Sequence, residues 1–317
     1  MNFFDFHYYM IIGAIILDLL IGDPRWIPHP VIIIGKCISF FEKIWNNGKL
    51  RRMKGILLTL MIVGGTFLCV YILLYVINFI HPFVKVIVEI YLISTTIAMN
   101  GLHKAGKEVA RPLLKGDLVL ARKNLGYIVG RDTEELPPHE VVRGTVETVA
   151  ENTVDAIIAP LCWALIGGAP MAMAYRAANT LDSMVGYKNE KYEQFGWASA
   201  RFDDVVNWIP ARLTAILMWL FSWFVPKSQK WNALVVTVRD AKKHPSPNSG
   251  WPEAMIAGVL GIILGGMNKY QGVASYRAEM GNLHRRLEPN DIRKTIIYMH
   301  GAWIMLILLL FLCTTNL

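Results

Sequence analysis

Between Pro138 and Ile158 the residues follow a helical period of about 100° per position, which places Val142, Val146, Val149, Thr153 and Ile157 on one face. Glu140, Glu147, Glu151 and Asp155 share the opposite face, with Arg143 one turn before Glu147. Like charges four apart on a helix repel by roughly a few tenths of a kcal/mol per pair, so a carboxylate stripe leading into an uncharged segment needs a cation. A Mg2+ ion carrying a nucleotide is the natural guest, since it takes one or two carboxylates and fills its remaining positions with water and phosphate. Glu147, Glu151 and Asp155 are the candidate metal ligands. The same spacing also describes a solvated helix face with an Arg143–Glu147 pair.

Three other stretches carry polar groups in patterns that suit a site. Pro170 to Gly186 reads as a helix with Arg176, Asn179, Asp182 and Ser183 on one side, either a site or a packing face joined by polar contacts. The run ARFDDVVNWIPAR brings Asp203, Asp204 and Asn207 within one turn at the mouth of an apolar segment, although either aspartate also suits a helix cap. In HPSPNSGWPE (244–253), Pro252 suits the first helical turn and Ser249 or Gly250 the cap. The backbone N–H groups of that helix start face whatever His244, Ser246 and Asn248 surround, and a phosphate is the expected occupant unless the stretch is an ordinary cap. The loop GDPRWIPHP (22–30) adds Asp23, Arg25 and His29. Residues 101–107, GLHKAGK, fit the spacing of a phosphate-binding P-loop, but Glu108 stands where a Ser or Thr hydroxyl must meet Mg2+, and no strand precedes them.

The elements that must position these residues belong to a membrane protein. The chain has 317 residues, 54% of them hydrophobic, and a mean hydropathy of +0.38, which is too apolar for a soluble domain of this length. Residues 55–80 run without a charge for longer than the roughly 20 residues that cross a bilayer core; 156–175 and 296–315 are further spans. Weaker candidates are 8–22, 83–101, 205–226 and 254–267, the last short enough to be re-entrant or buried in protein. The expected fold is all-α, polytopic, with about four to six membrane-embedded helices and a helical polar region facing the cytoplasm. The expected organisation is one membrane-embedded unit over 1–317, with N-terminal membrane helices over 8–101, a polar region over 102–253 and C-terminal membrane helices over 254–317. The basic residues Lys36, Lys43, Lys49, Arg51, Arg52 and Lys54 before the first clear span place that loop, and the active face, on the cytoplasmic side of the cell membrane. The basic stretches 227–243 and 269–294 strain that rule, because 254–267 lies between them, so one of the later segments is expected to dip in without crossing. The net charge of +8 is spread over many loops, which fits topology and anionic lipid rather than nucleic acid. Cys37, Cys69, Cys162 and Cys313 have neither disulfide nor zinc spacing.

Four blocks in order, GDPRWIPHPVIIIG, VETVAENTVDAIIAPLCWALIGG, YRAANTLDSMVGYKNEKYEQFGWASARFDDVVNWIPAR and HPSPNSGWPEAMIAGVLGIILGG, resemble the adenosylcobinamide-phosphate synthases of cobalamin assembly. The likeness runs from about Asp18 to Tyr270. It implies an amide ligation: a side-chain carboxylate of adenosylcobyric acid is joined to the amine of aminopropanol phosphate, with ATP and Mg2+ as drivers. A carboxylate is a poor electrophile and needs activation as an acyl phosphate, a reaction catalysed by positioning and charge neutralisation. On this reading Glu147, Glu151 and Asp155, helped by Asp182 or Asp203, hold Mg2+. Arg25, Arg176, Arg201 and the Asn248 to Glu253 helix start hold phosphates, with Asp23, Asn179, Asn207 and Ser249 beside them. His244 or His29 takes the amine proton, with Asp182 and Asp204 as further catalytic candidates. Implied partners are the corrinoid, the aminoalkyl phosphate, the lipid bilayer and other membrane-associated enzymes of cobalamin assembly. Rival readings are a transporter of an anionic solute and a non-catalytic sensor like the family of beta-lactamase induction, which shares the scaffold.

Overall fold

The computed structural model describes residues 3–22 and 29–314, so Asp23 and Arg25 lie outside the described residues. In chain order the helices are α1 (Phe3–Leu20), α2 (Pro30–Trp45), α3 (Arg51–Ile80), α4 (Pro82–Ser94), α5 (Met99–Leu114), α6 (Leu118–Gly126), α7 (Pro138–Thr153), α8 (Ala159–Val185), α9 (Trp197–Val206), α10 (Trp208–Phe221), α11 (Lys230–Asp240) and α12 (Gly250–Leu260). A hairpin of β1 (Ile263–Tyr270) and β2 (Val273–Gly281) follows, and α13 (Pro289–Thr314) closes the chain. Among the described residues four helical runs, Arg51–Ile80, Pro82–Leu114, Pro138–Val185 and Pro289–Cys313, are long and apolar enough to cross a membrane, and α9 with α10 makes a fifth if the two are one broken span.

The chain packs as two compact units, Met1–Met99 with Asp155–Asn207, and Asn100–Val154 with Trp208–Leu317. In the first, α3 packs on α2, α4, α8 and α9, and α1 on α4 and α8, around Ile11, Ile38, Leu58, Ile93 and Leu161. Helix α8 breaks at Gly167 and Gly168. Gly168 adopts φ +62°, a conformation open chiefly to glycine, and a Cβ there would stand 2.4 Å from Oε1 of the buried Glu89. In the second unit, α13 packs on α7 and α10, while α12 packs on α7, α10 and α11 and carries the hairpin.

Local sequence explains where the polar stretches begin. Pro137 caps α7 and Pro138 opens it, where the missing N–H costs nothing. After Thr153 the helix widens into a π-turn, Val154–Ile158, before α8. A wider turn changes the angular advance per residue, so the 100° projection that placed Asp155 on the Glu147–Glu151 stripe ends at Thr153.

Residues 254–267 are too short to cross and are largely buried in protein: they hold the end of α12 and the start of a small two-stranded hairpin in an otherwise helical chain. Helix α12 stops at Leu260 because Gly261 takes a left-handed cap (φ +66°). Its 11 residues span about 16 Å, half of a bilayer core. The chain then pairs antiparallel from Ile263↔Gly281 to Tyr270↔Val273, with an irregularity at Gly265. Gln271 and Gly272 both have positive φ, as a two-residue hairpin turn requires. Asp132 fixes that turn by accepting from both of their N–H groups at 3.0 and 2.8 Å. With no crossing at 254–267, the basic stretches on either side of it no longer conflict with the charge rule.

Candidate functional site

In the second unit the acidic face of α7 is buried against the hairpin. Glu147 Oε1 accepts from Arg143 Nη1 at 3.0 Å and from the Gly265 N–H at 2.8 Å. Its Oε2 accepts from Arg131 Nη2 at 2.5 Å. Arg143 also donates to Glu140, to the carbonyls of Gly265 and Met267, and to Asn268. The Arg143–Glu147 pair weighed from spacing therefore forms, buried rather than solvated: Glu147 and Arg143 are each 3% exposed. Both oxygens of Glu147 are committed to cationic and backbone donors, which leaves this carboxylate to hold β1 rather than a metal ion.

One turn on, Glu151 Oε1 accepts from the Ser249 hydroxyl at 2.8 Å. Ser249 does stand at the N-cap of α12, but its side chain turns to Glu151 instead of capping. Arg212 steadies the preceding loop. Its guanidinium lies over the rings of Trp208 and Trp251, 4.3 and 4.7 Å from their centroids. It donates to Asn248 Oδ1 at 3.0 Å and to the Pro247 carbonyl at 3.1 Å. Within this frame His244 Nε2 faces Glu253 Oε1 at 3.7 Å, too far for a hydrogen bond. Neither oxygen of Glu253, nor His244 Nε2, nor Asn268 Nδ2 has a hydrogen-bond partner among the described residues, although all are buried. Desolvation raises the Glu253 carboxyl well above the usual glutamate range, and the charges of Glu147 and Glu151 add to it. Burial lowers His244, opposed by Glu151.

A second polar group lies in the first unit. Tyr175 donates to Asn207 Oδ1 at 2.9 Å, and Asn207 Nδ2 to Asp203 Oδ2 at 3.0 Å. Asn179 donates from Nδ2 to Asp203 Oδ1 at 3.5 Å and accepts at Oδ1 from Arg176 Nη1 at 3.3 Å. Asp182 brings a second negative charge to Asp203. The buried Arg176 Nε has no partner among the described residues. Asp155 belongs to this unit, and Glu147 and Glu151 belong to the other. Arg201 and Asp204 form an ion pair at 3.6 Å in which the arginine side chain is largely exposed. His29 caps α2, accepting from the Val31 N–H at 3.3 Å. Among the described residues no three His, Cys, Asp or Glu side chains gather as a metal cage.

The structure thus unites Glu147, Glu151, His244, Asn248, Ser249 and Glu253 from two distant stretches, and Arg176, Asn179, Asp182, Asp203 and Asn207 from another two. Sequence reasoning missed Arg131, Asn268 and Arg277. Arg277 lies on β2, donates to the Tyr270 hydroxyl at 3.0 Å, and feels the charges of Glu253, Glu151 and Glu147. The signal was a hairpin hidden in an apolar run: Gln271-Gly272 is a two-residue turn lacking the usual Asn or Asp.

Comparison with known proteins agrees with the arrangement of motifs. The family described as CobD/Cbib protein matches residues 11–299. A cobalamin biosynthesis protein CobD of Halalkalibacterium halodurans is 50% identical over 309 residues, 96% of each chain. One of Geobacter metallireducens is 48% identical over 307 residues, again 96% of each. The cobalamin biosynthesis protein CbiB of Salmonella typhimurium is 46% identical over 293 residues, 91% of this chain and 92% of its own. No solved structure matches. With that coverage and two polar groups built from its motif blocks, the chain belongs to the CobD/CbiB family of cobalamin biosynthesis proteins.

Proposed function

We propose that this protein joins a side-chain carboxylate of adenosylcobyric acid to aminopropanol phosphate, giving adenosylcobinamide phosphate through an ATP-derived acyl phosphate. The observation that carries this reading, beyond family membership, is the buried nest of the second unit. Stretches about a hundred residues apart meet there and leave three side chains with polar atoms that have no hydrogen-bond partner among the described residues, Glu253, His244 and Asn268. Native interiors satisfy nearly all such atoms, so an unmet set marks a place where a reacting ligand completes the hydrogen bonding.

The residues present also fit a nucleotide-borne Mg2+. The ion needs only one or two carboxylates, which Asp182 and Asp203 supply, and the unpartnered Arg176 Nε suits a phosphate oxygen. Bound there, Mg2+ would neutralise charge on the transferring phosphoryl group. Asp203 is held for this by the side-chain amides of Asn179 and Asn207, the latter in turn oriented by Tyr175.

Incubation of the purified protein with adenosylcobyric acid, ATP, Mg2+ and either aminopropanol phosphate or threonine phosphate, followed by mass analysis of the corrinoid, tests the proposal. The expected product is heavier by the amine less one water and does not form without ATP. An unchanged corrinoid in the complete mixture would refute it.

A further inference from the structure

We propose that His244 and Glu253 are the base and the acid of the amide-forming step; this rests on the ligase reading above. The geometry that points to it is local. His244 and Glu253 face each other across 3.7 Å, at side-chain exposures of 4% and 1%, and His244 Nε2 and both Glu253 oxygens have no hydrogen-bond partner among the described residues. His244 Nδ1 lies 3.0 Å from the Ser246 N–H and 3.3 Å from the Ser246 carbonyl. One backbone residue therefore serves either tautomer, and the ring can offer a lone pair at Nε2 and then carry a second proton without turning. The charged groups facing the pair are Glu147 and Glu151 of α7, Arg277 of β2 and Arg131. Burial moves the two groups apart in the sense that suits the roles, a neutral imidazole beside a protonated carboxyl.

The step balances with one proton released. His244 Nε2 takes a proton from the arriving ammonium group, and the freed amine nitrogen attacks the acyl carbon of the acyl phosphate. The bond from that carbon to the phosphate oxygen breaks, and the departing phosphate takes the proton of Glu253. The new amide nitrogen gives its second proton to the Glu253 carboxylate, which restores the acid, and the imidazolium releases its proton to solvent as the product leaves.

The test separates two half-reactions in the purified protein. Hydroxylamine, unprotonated at neutral pH, intercepts an acyl phosphate as a hydroxamate, whereas the alkyl amine arrives protonated. His244→Gln is expected to slow amide formation about 10²-fold or more while hydroxamate still forms. Its amide rate is expected to climb about tenfold per pH unit as free amine accumulates below the amine's own pKa. Glu253→Gln, with no proton to give, is expected to slow amide formation about tenfold or more without alkaline rescue. Equal loss of hydroxamate and amide in His244→Gln would overturn the assignment, as would failure of alkaline rescue there or a changed Mg2+ requirement in Glu253→Gln. If the unaltered protein makes amide but no hydroxamate, the acyl-phosphate reading falls, and alkaline rescue alone decides the pair.

Discussion

Glu147 and Glu253 lie on neighbouring elements and have opposite fates, and the difference is donors. Glu147 has two guanidinium groups and a backbone N–H around it, while Glu253 has no hydrogen-bond partner among the described residues. Removing one partner of a buried ion pair leaves the others uncompensated at a cost of about 3–5 kcal/mol. Glu147→Gln is therefore expected to lower Tm in detergent sharply, whereas Glu151→Gln, half-exposed and bonded to one hydroxyl, should lower it little. For Glu253 the sign runs the other way. A carboxyl whose folded pKa is raised stabilises the fold below the ordinary glutamate range of about 4.3, and that contribution is lost as pH rises through the raised value. The Tm of Glu253→Gln minus that of the unaltered protein is expected to grow between about pH 5 and about pH 8; thermal unfolding across that range checks it. At this scale the sequence was readable where charge and helical spacing coincide, as in Arg143–Glu147 and the 244–253 loop. It was silent on Arg131 and Arg277, whose roles depend on a strand partner far away in the chain.

Helices with Pro at their first turn and long uncharged runs could be placed from the residues, because local sterics and apolar length decide them: α3 contains 55–80, α13 covers 296–314, and α7 covers 138–153 of the expected 138–158. The hairpin could not. Its first strand continues an apolar run, and its identity rests on Gly261, Gly265 and Gly272, whose positive φ values appear only in three dimensions. Gly265 is the position where β1 departs from regular pairing and directs both its N–H and its carbonyl to α7. The break in α8 is equally glycine-dependent. Gly168→Ala adds a methyl 2.4 Å from Glu89 Oε1 in a backbone conformation that alanine resists. The expected cost is about 1–3 kcal/mol or more, seen as a lower Tm and reduced yield of folded protein, with α7 and its arginine contacts untouched.

For the whole molecule, charge distribution yields a prediction about sidedness. Helix α3 has 30 residues and so extends about 45 Å, with the basic 46–54 stretch at one end and His81 at the other. Single cysteines at Asn47 and His81 in a cysteine-free background should react with an impermeant thiol reagent from opposite sides, Asn47→Cys from the cytoplasm; labelling of both from one side would refute the topology. The division into two units was not visible in the sequence, since neither unit is a continuous stretch of chain. The chain changes unit after Met99, after Val154 and after Asn207. That interleaving constrains biosynthesis. While the ribosome is still making residues 155–207, α1 and α3 have already left it without the helices, α8 and α9, that are to cover them, and must wait in the insertion machinery for a segment encoded some three hundred bases downstream.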